Sequence, residues 1–82
     1  MKLTRATLYP SLSCSTSAVL TLHHDPPHFG AAVIGLGPMW AHATPEMIRA
    51  ALLANAQTHA NLHADLQGCP RITVEWLDSE EK

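Results

Sequence analysis

Apolar and polar residues alternate along much of the chain, and this period of two predicts β-strands. Residues 3–9 combine threonine, leucine and tyrosine, and Pro10 marks the end or the edge of that strand. Residues 17–23 alternate again, with Leu20 and Leu22 on one face and Thr21 and His23 on the other. The serine-rich stretch 11–16 fits either the start of this second strand or a loop. Residues 71–77 show the same alternation and predict the last strand.

A short apolar run bounded by glycines occupies residues 30–37. It follows a turn at residues 25–27, where an aspartate precedes two prolines. A continuous apolar run of this length is typical of a central strand that is buried on both faces. Gly35 inside the run predicts a bulge or the close approach of another backbone.

Residues 44–68 carry the start and stop signals of one long helix. Thr44 is a good N-cap, Pro45 suits the first helical position, and Glu46 favours the positive end of the helix dipole. The helix is predicted to run to Gln67, with Gly68 as its left-handed stop. The face expected to lie on the sheet consists of Ile48, Ala51, Leu52, Asn55, His59, Leu62 and Leu66. The face expected to meet solvent contains Arg49, Gln57, Ala60, Ala64 and Gln67.

The order of these elements predicts an α+β fold, β-β-β-α-β, in which short connections make the first three strands an antiparallel meander. We expect a three- to four-stranded antiparallel sheet with one long helix packed on one face. The 82 residues make a single domain, 1–82, in which residues 77–82 form a charged, frayed tail. A chain this short has few residues with which to enclose a deep active site.

Charge and hydropathy exclude several classes of function. The net charge is −2 and the five basic residues are scattered, so we expect no direct nucleic-acid binding. No apolar run approaches the roughly 20 residues that span a bilayer, so we expect no membrane insertion and a cytoplasmic location. In that compartment Cys14 and Cys69 should be reduced thiols, and we expect them to be small buried side chains.

Six histidines stand out in the composition. His59 and His63 have the i,i+4 spacing that puts two imidazoles on one helical face, as zinc-binding helices do. His23, His24, Asp25 and His28 offer further ligands. The spacing also arises by chance, the cysteines are isolated, and the glutamate of the metalloprotease motif is missing. We therefore expect no metal, no cofactor and no catalytic residues, and we place Asn55 and His59 in the core. The alternative stays open that the sheet does not fully cover the far half of the helix, so that the face around His59 and His63 binds a partner.

Phe29, Met39 and Trp40 are large apolar residues in predicted connections on either side of the glycine-bounded strand. Aromatic residues and methionine are enriched at protein interfaces, so these three are the candidate partner-binding residues. The alternative, that they close the ends of the small core, stays open.

The self-contained β-β-β-α-β domain, its mild acidity, its lack of motifs and its charged tail from Asp78 to Lys82 resemble small phage-encoded anti-CRISPR proteins. The resemblance is to those that block type I Cascade complexes, and it carries no motif that assigns site residues. It implies a monomeric inhibitor, not an enzyme, that binds a Cas subunit and occludes target DNA binding in the host cytoplasm. Two alternatives remain: a histidine-dependent metal-binding protein or small enzyme, and a structural or oligomeric phage component whose edge strand, ending at Pro10, pairs between copies.

Overall fold

The computed structural model describes residues 2–26 and 28–78, with backbone only for His28 and Phe29. Four strands, one short 3-10 helix and one long α-helix make up this part of the chain. In order, they are β1 (Lys2–Pro10), β2 (Ser17–Asp25), β3 (His28–Gly35), the 3-10 helix (Pro38–His42), α1 (Pro45–Gln67) and β4 (Val74–Trp76). The predicted α+β architecture, with one long helix on a small sheet, is confirmed. The tail was predicted over residues 77–82, and residues 79–82 lie outside the described residues. Leu77 is held to β1, because its N–H donates to Leu8 O at 2.8 Å.

The sheet has the strand order β3-β2-β1-β4. β1, β2 and β3 form the predicted antiparallel meander, but β4 runs parallel to β1, so the sheet is mixed where an antiparallel sheet was predicted. The direction of β4 follows from the connections between the elements. β3 ends at the same end of the sheet as β1, α1 carries the chain back, and β4 must then run in the direction of β1.

The strand predicted to be central lies at the edge of the sheet. β3 pairs only with β2 in the ladder, and Val33 on its outer face is 73% exposed. Pairing continues regularly to Gly35, opposite Ser17, and the irregularity lies in β1 between Leu3 and Arg5. The predictions of a doubly buried strand and of a bulge at Gly35 are therefore wrong. β1, which was predicted to offer a free edge, is an interior strand.

The boundaries of α1 match the prediction residue by residue. The Thr44 hydroxyl oxygen accepts a hydrogen bond from Met47 N at 3.2 Å, and Pro45 occupies the first turn. At the other end Gly68 adopts φ +70°, a conformation that other residues reach only at a cost. The N–H of Cys69 then bonds back to Ala64 O at 2.9 Å. These local hydrogen bonds define where the helix starts and stops.

The face of α1 that meets the sheet differs from the predicted one. Leu52 was correctly expected in the core, but the other buried positions are alanines: Ala56, Ala60 and Ala64. Leu62 and Leu66 are 58% and 79% exposed, and Asn55 and His59 are also exposed. Small side chains at four-residue spacing let the helix axis approach the sheet closely, which a row of leucines would prevent. The core consists of Ala6, Leu8, Ala18, Leu20, Ile34, Leu52, Ala56, Ala60 and Val74.

Gln57, which was predicted to face solvent, ties α1 to the segment around β4. Its Nε2 donates to Ile72 O at 2.8 Å and to Asn61 Oδ1 at 2.9 Å. Its Oε1 accepts from Val74 N at 3.0 Å. The side-chain amide thus pairs with a backbone carbonyl and a backbone N–H two residues apart, as a neighbouring strand would. This contact holds the short last strand against the helix.

Candidate functional site

A groove of about 350 Å³ opens at one end of the sheet, where β1 and β4 finish and α1 begins. We call this the groove end. The buried side chain of Leu52 and the half-buried side chains of Ile48 and Trp76 supply much of its apolar lining. The full lining is Pro10, Ser15, Pro45, Ile48, Arg49, Leu52, Trp76 and Asp78. The volume is near the lower limit of small-molecule pockets, roughly 300 Å³, and suits one or two apolar side chains.

Arg49 and Trp76 form one side of this groove. The Arg49 guanidinium carbon lies 4.9 Å from the centroid of the Trp76 ring, within the range of a cation–π contact. Because Arg49 is exposed, its guanidinium keeps donors available to an incoming acceptor. The groove therefore combines an apolar floor with one positively charged group, Arg49, and one negatively charged group, Asp78.

The three predicted partner-binding residues are not brought together. Met39 and Trp40 lie in the 3-10 helix, which joins the end of β3 to the start of α1 and so sits at the groove end. Met39 is 84% exposed and Trp40 is half-buried, but neither lines the groove. Phe29 lies in β3, not in a connection, and its backbone pairs with His23 near the opposite end of the sheet. Its side chain is outside the described residues.

Sequence reasoning missed the groove because its residues come from distant parts of the chain. Ile48 was assigned correctly to the face of α1 that meets the sheet, but that assignment predicts a filled core. No periodicity indicates that β1, β4 and the first turns of α1 leave a gap where they meet. Leu12, which is fully exposed, lies in the same 11–16 loop as the groove residue Ser15.

At the opposite end of the sheet, which we call the histidine end, two histidines meet. Nε2 of His24 on β2 lies 2.9 Å from Nε2 of His63 on α1, and the ring centroids are 5.1 Å apart at an interplanar angle of 60°. His24 is only 6% exposed. The sequence paired His63 with His59, but His59 is exposed, so its predicted place in the core is wrong. Among the side chains that the structure describes, in residues 2–26 and 30–78, no three His, Cys, Asp or Glu side chains gather as a metal cluster would.

Cys14 and Cys69 form no disulfide with each other, and neither is buried. Cys14 is exposed and Cys69 is half-buried, which contradicts the prediction that they fill the core. A hydrogen bond between Cys14 Sγ and the Thr16 hydroxyl, at 3.3 Å, lowers the pKa of the Cys14 thiol.

The arginines of the described chain are engaged with their own neighbours. Arg5 pairs with Glu75 and Arg71 with Asp65, each at 2.7 Å, while Arg49 stacks on Trp76. The Arg71 guanidinium lowers the pKa of the Asp65 carboxyl by donating hydrogen bonds to it.

Within the described part of the chain, no helix combines the length and the apolar character required to cross a bilayer. Comparison of the chain with protein-family models, curated proteins and solved structures finds no match.

Proposed function

We propose that this chain is a small protein-binding inhibitor that acts by covering part of a partner's surface. The observation that supports it is the apolar groove between α1, β1 and β4. A partner would insert a large apolar side chain over Leu52 and place an acceptor near Arg49. Met39 and Leu12 are further exposed apolar side chains, in segments that adjoin the groove end, and apolar side chains spread over several segments favour a protein over an isolated small molecule.

The partner that the resemblance suggests is a Cas subunit of a type I Cascade complex, in the cytoplasm of a phage-infected host. Inhibition would be steric, because an associated domain of 8.9 kDa is large enough to block access of target DNA to its binding channel. The net charge of −2 favours approach to a surface that normally binds nucleic acid. No catalytic step is part of this proposal.

The test is binding of the purified chain to each Cascade subunit and to the whole complex, followed by target DNA binding in its presence. We expect one subunit to retain the chain and DNA binding to fall with increasing chain concentration. No association with any subunit would remove this partner from the proposal.

Variants at the groove end test the surface itself, once a binding partner is in hand. We expect Ile48→Ala and Met39→Glu to weaken association by about tenfold or more, the range of interface hot spots. Leu66→Glu is a matched control, since Leu66 is as exposed as Met39, at 79% against 84%, but lies near the far end of α1. Thermal melting of each variant separates lost binding from lost folding. Equal effects of Leu66→Glu and Met39→Glu would contradict the assigned surface.

The alternative of a structural component needs a different strand from the one expected. β1 was predicted to pair between copies, but it lies between β2 and β4. The edge strands that a second copy could use are β3 and the short β4. The metal-binding alternative gains a specific observation, the contact between His24 and His63, which supports a separate proposal below.

A further inference from the structure

His24 and His63 come from distant parts of the chain and aim the same ring atom at each other. His24 lies next to the end of β2, and His63 lies in the last third of α1, 39 residues later. Their Nε2 atoms are 2.9 Å apart. Two imidazoles in such contact either share a proton as donor and acceptor or share a cation that both nitrogens can ligate.

We propose that His24 and His63 are two ligands of a divalent transition-metal site, with zinc as the ion to test first. Imidazole nitrogen suits Zn²⁺, Cu²⁺ and Ni²⁺. With two protein ligands, fewer than the three or four of most zinc sites, water has to fill the remaining positions. The site is distinct from the groove and does not depend on the partner proposed above.

The spacing of the rings allows a tetrahedral ion if both rings turn. With Zn–N bonds of about 2.05 Å, a tetrahedral angle and ring centroids about 1.1 Å behind each nitrogen, the two centroids would lie about 5.1 Å apart and the two nitrogens about 3.3 Å apart. The observed centroid separation is 5.1 Å, but the nitrogens are 2.9 Å apart, so both nitrogens now lie near the straight line between the centroids, as in a direct hydrogen bond. Binding of an ion therefore requires each ring to turn by roughly 35° about its centroid.

Burial gives the pair a rigid frame. His24 is 6% exposed on a strand paired on both sides, and His63 is half-buried on a helix packed against the same sheet. Ligands on rigid elements lose little freedom when an ion binds. His28 is the backbone partner of His24 in the β2–β3 ladder, but its side chain lies outside the described residues, and the proposal stands on His24 and His63 alone.

The test is zinc titration by calorimetry on untagged, chelator-treated protein. Cys14 and Cys69 should first be changed to serine, because both thiols are accessible and thiolates bind zinc. We expect one Zn²⁺ per chain and a rise in melting temperature when zinc is added, since the ion binds only the folded arrangement. Absence of saturable binding in this background would overturn the proposal.

Substitutions locate the ion. We expect His63→Gln to weaken zinc binding by roughly tenfold or more, because loss of even an outer-shell partner costs about that much. His24→Asn should do the same, but His24 is buried, so His63→Gln is the variant whose folding is safer. His59→Gln is the matched control, four residues away on the same helix and exposed. Unchanged affinity in His63→Gln, or equal losses in His63→Gln and His59→Gln, would overturn the assignment.

A nitrogen-15 NMR spectrum of the imidazoles provides a readout independent of affinity. Zinc should shift the Nε2 resonances of His24 and His63 and leave those of His59 in place. If zinc leaves the Nε2 resonances of His24 and His63 unshifted, the proposed site is refuted.

Discussion

Replacing Ala60 with leucine should destabilise the fold, whereas replacing Leu62 with alanine should leave its stability almost unchanged. The two changes are opposite in size and lie two residues apart on α1. A helix packed through its leucines would respond in the reverse order. The pair therefore tests directly which face of α1 meets the sheet.

The magnitudes follow from exposure. Ala60 is 0% exposed against the sheet, and forcing a larger side chain into a packed core costs about 1–3 kcal/mol. In a domain of this size each 1 kcal/mol lowers the melting temperature by roughly 4–8 °C, so Ala60→Leu should lose roughly 5–20 °C. Leu62 is 58% exposed, and surface substitutions usually change stability by less than about 0.5 kcal/mol.

The assay is thermal and urea unfolding followed by circular dichroism at the helical band. Leu52→Ala is the positive control, because Leu52 is 1% exposed and loss of a buried leucine side chain costs about 2–5 kcal/mol. A loss in Leu62→Ala as large as that in Leu52→Ala, or a rise in melting temperature for Ala60→Leu, would refute the alanine-faced packing.

Three further changes test the contacts that hold α1 in place, each measured by the same unfolding experiments. Gln57→Leu should lower the free energy of unfolding by about 1–3 kcal/mol, because it leaves Ile72 O and Val74 N without their hydrogen-bond partner. The control Gln67→Leu, at an exposed helical position, should have little effect on stability. Equal stability of these two variants would contradict the role of the Gln57 amide. Thr44→Ala should cost about 1 kcal/mol through the lost N-cap, and a neutral result would mean that Met47 N finds another acceptor. Gly68→Ala should cost about 1–2 kcal/mol because φ is +70°, and a stabilised variant would argue against that conformation.

The ends of α1 could be predicted from the sequence because capping is local. Thr44, Pro45 and Gly68 act on backbone groups within four residues, and these contacts exist whatever the helix packs against. The face of the helix is a different problem. Hydrophobicity alone would place Leu62 and Leu66 against the sheet, but the short distance between helix and sheet admits only small side chains such as that of Ala60. Only the packed structure decides between them.

The same distinction separates what could be predicted of the sheet. The alternation in residues 17–23 identifies β2, whose two faces differ in exposure. The position of β3 was missed because alanines and glycines at an edge resemble those of a buried strand. The parallel direction of β4 depends on where α1 delivers the chain, a property of the whole topology.

Both proposed sites lie where separate elements meet, and they lie at opposite ends of one helix. Ile48 lines the groove and His63 contacts His24, so at about 1.5 Å per residue they are roughly 22 Å apart along α1. Sites this far apart with no shared contacts usually respond independently to substitution. A failed zinc titration would therefore leave the groove untouched as a binding surface, and a failed partner screen would say nothing against the histidine pair. Coupling between the two would require α1 to shift on the sheet, and the close fit of its alanines opposes that movement.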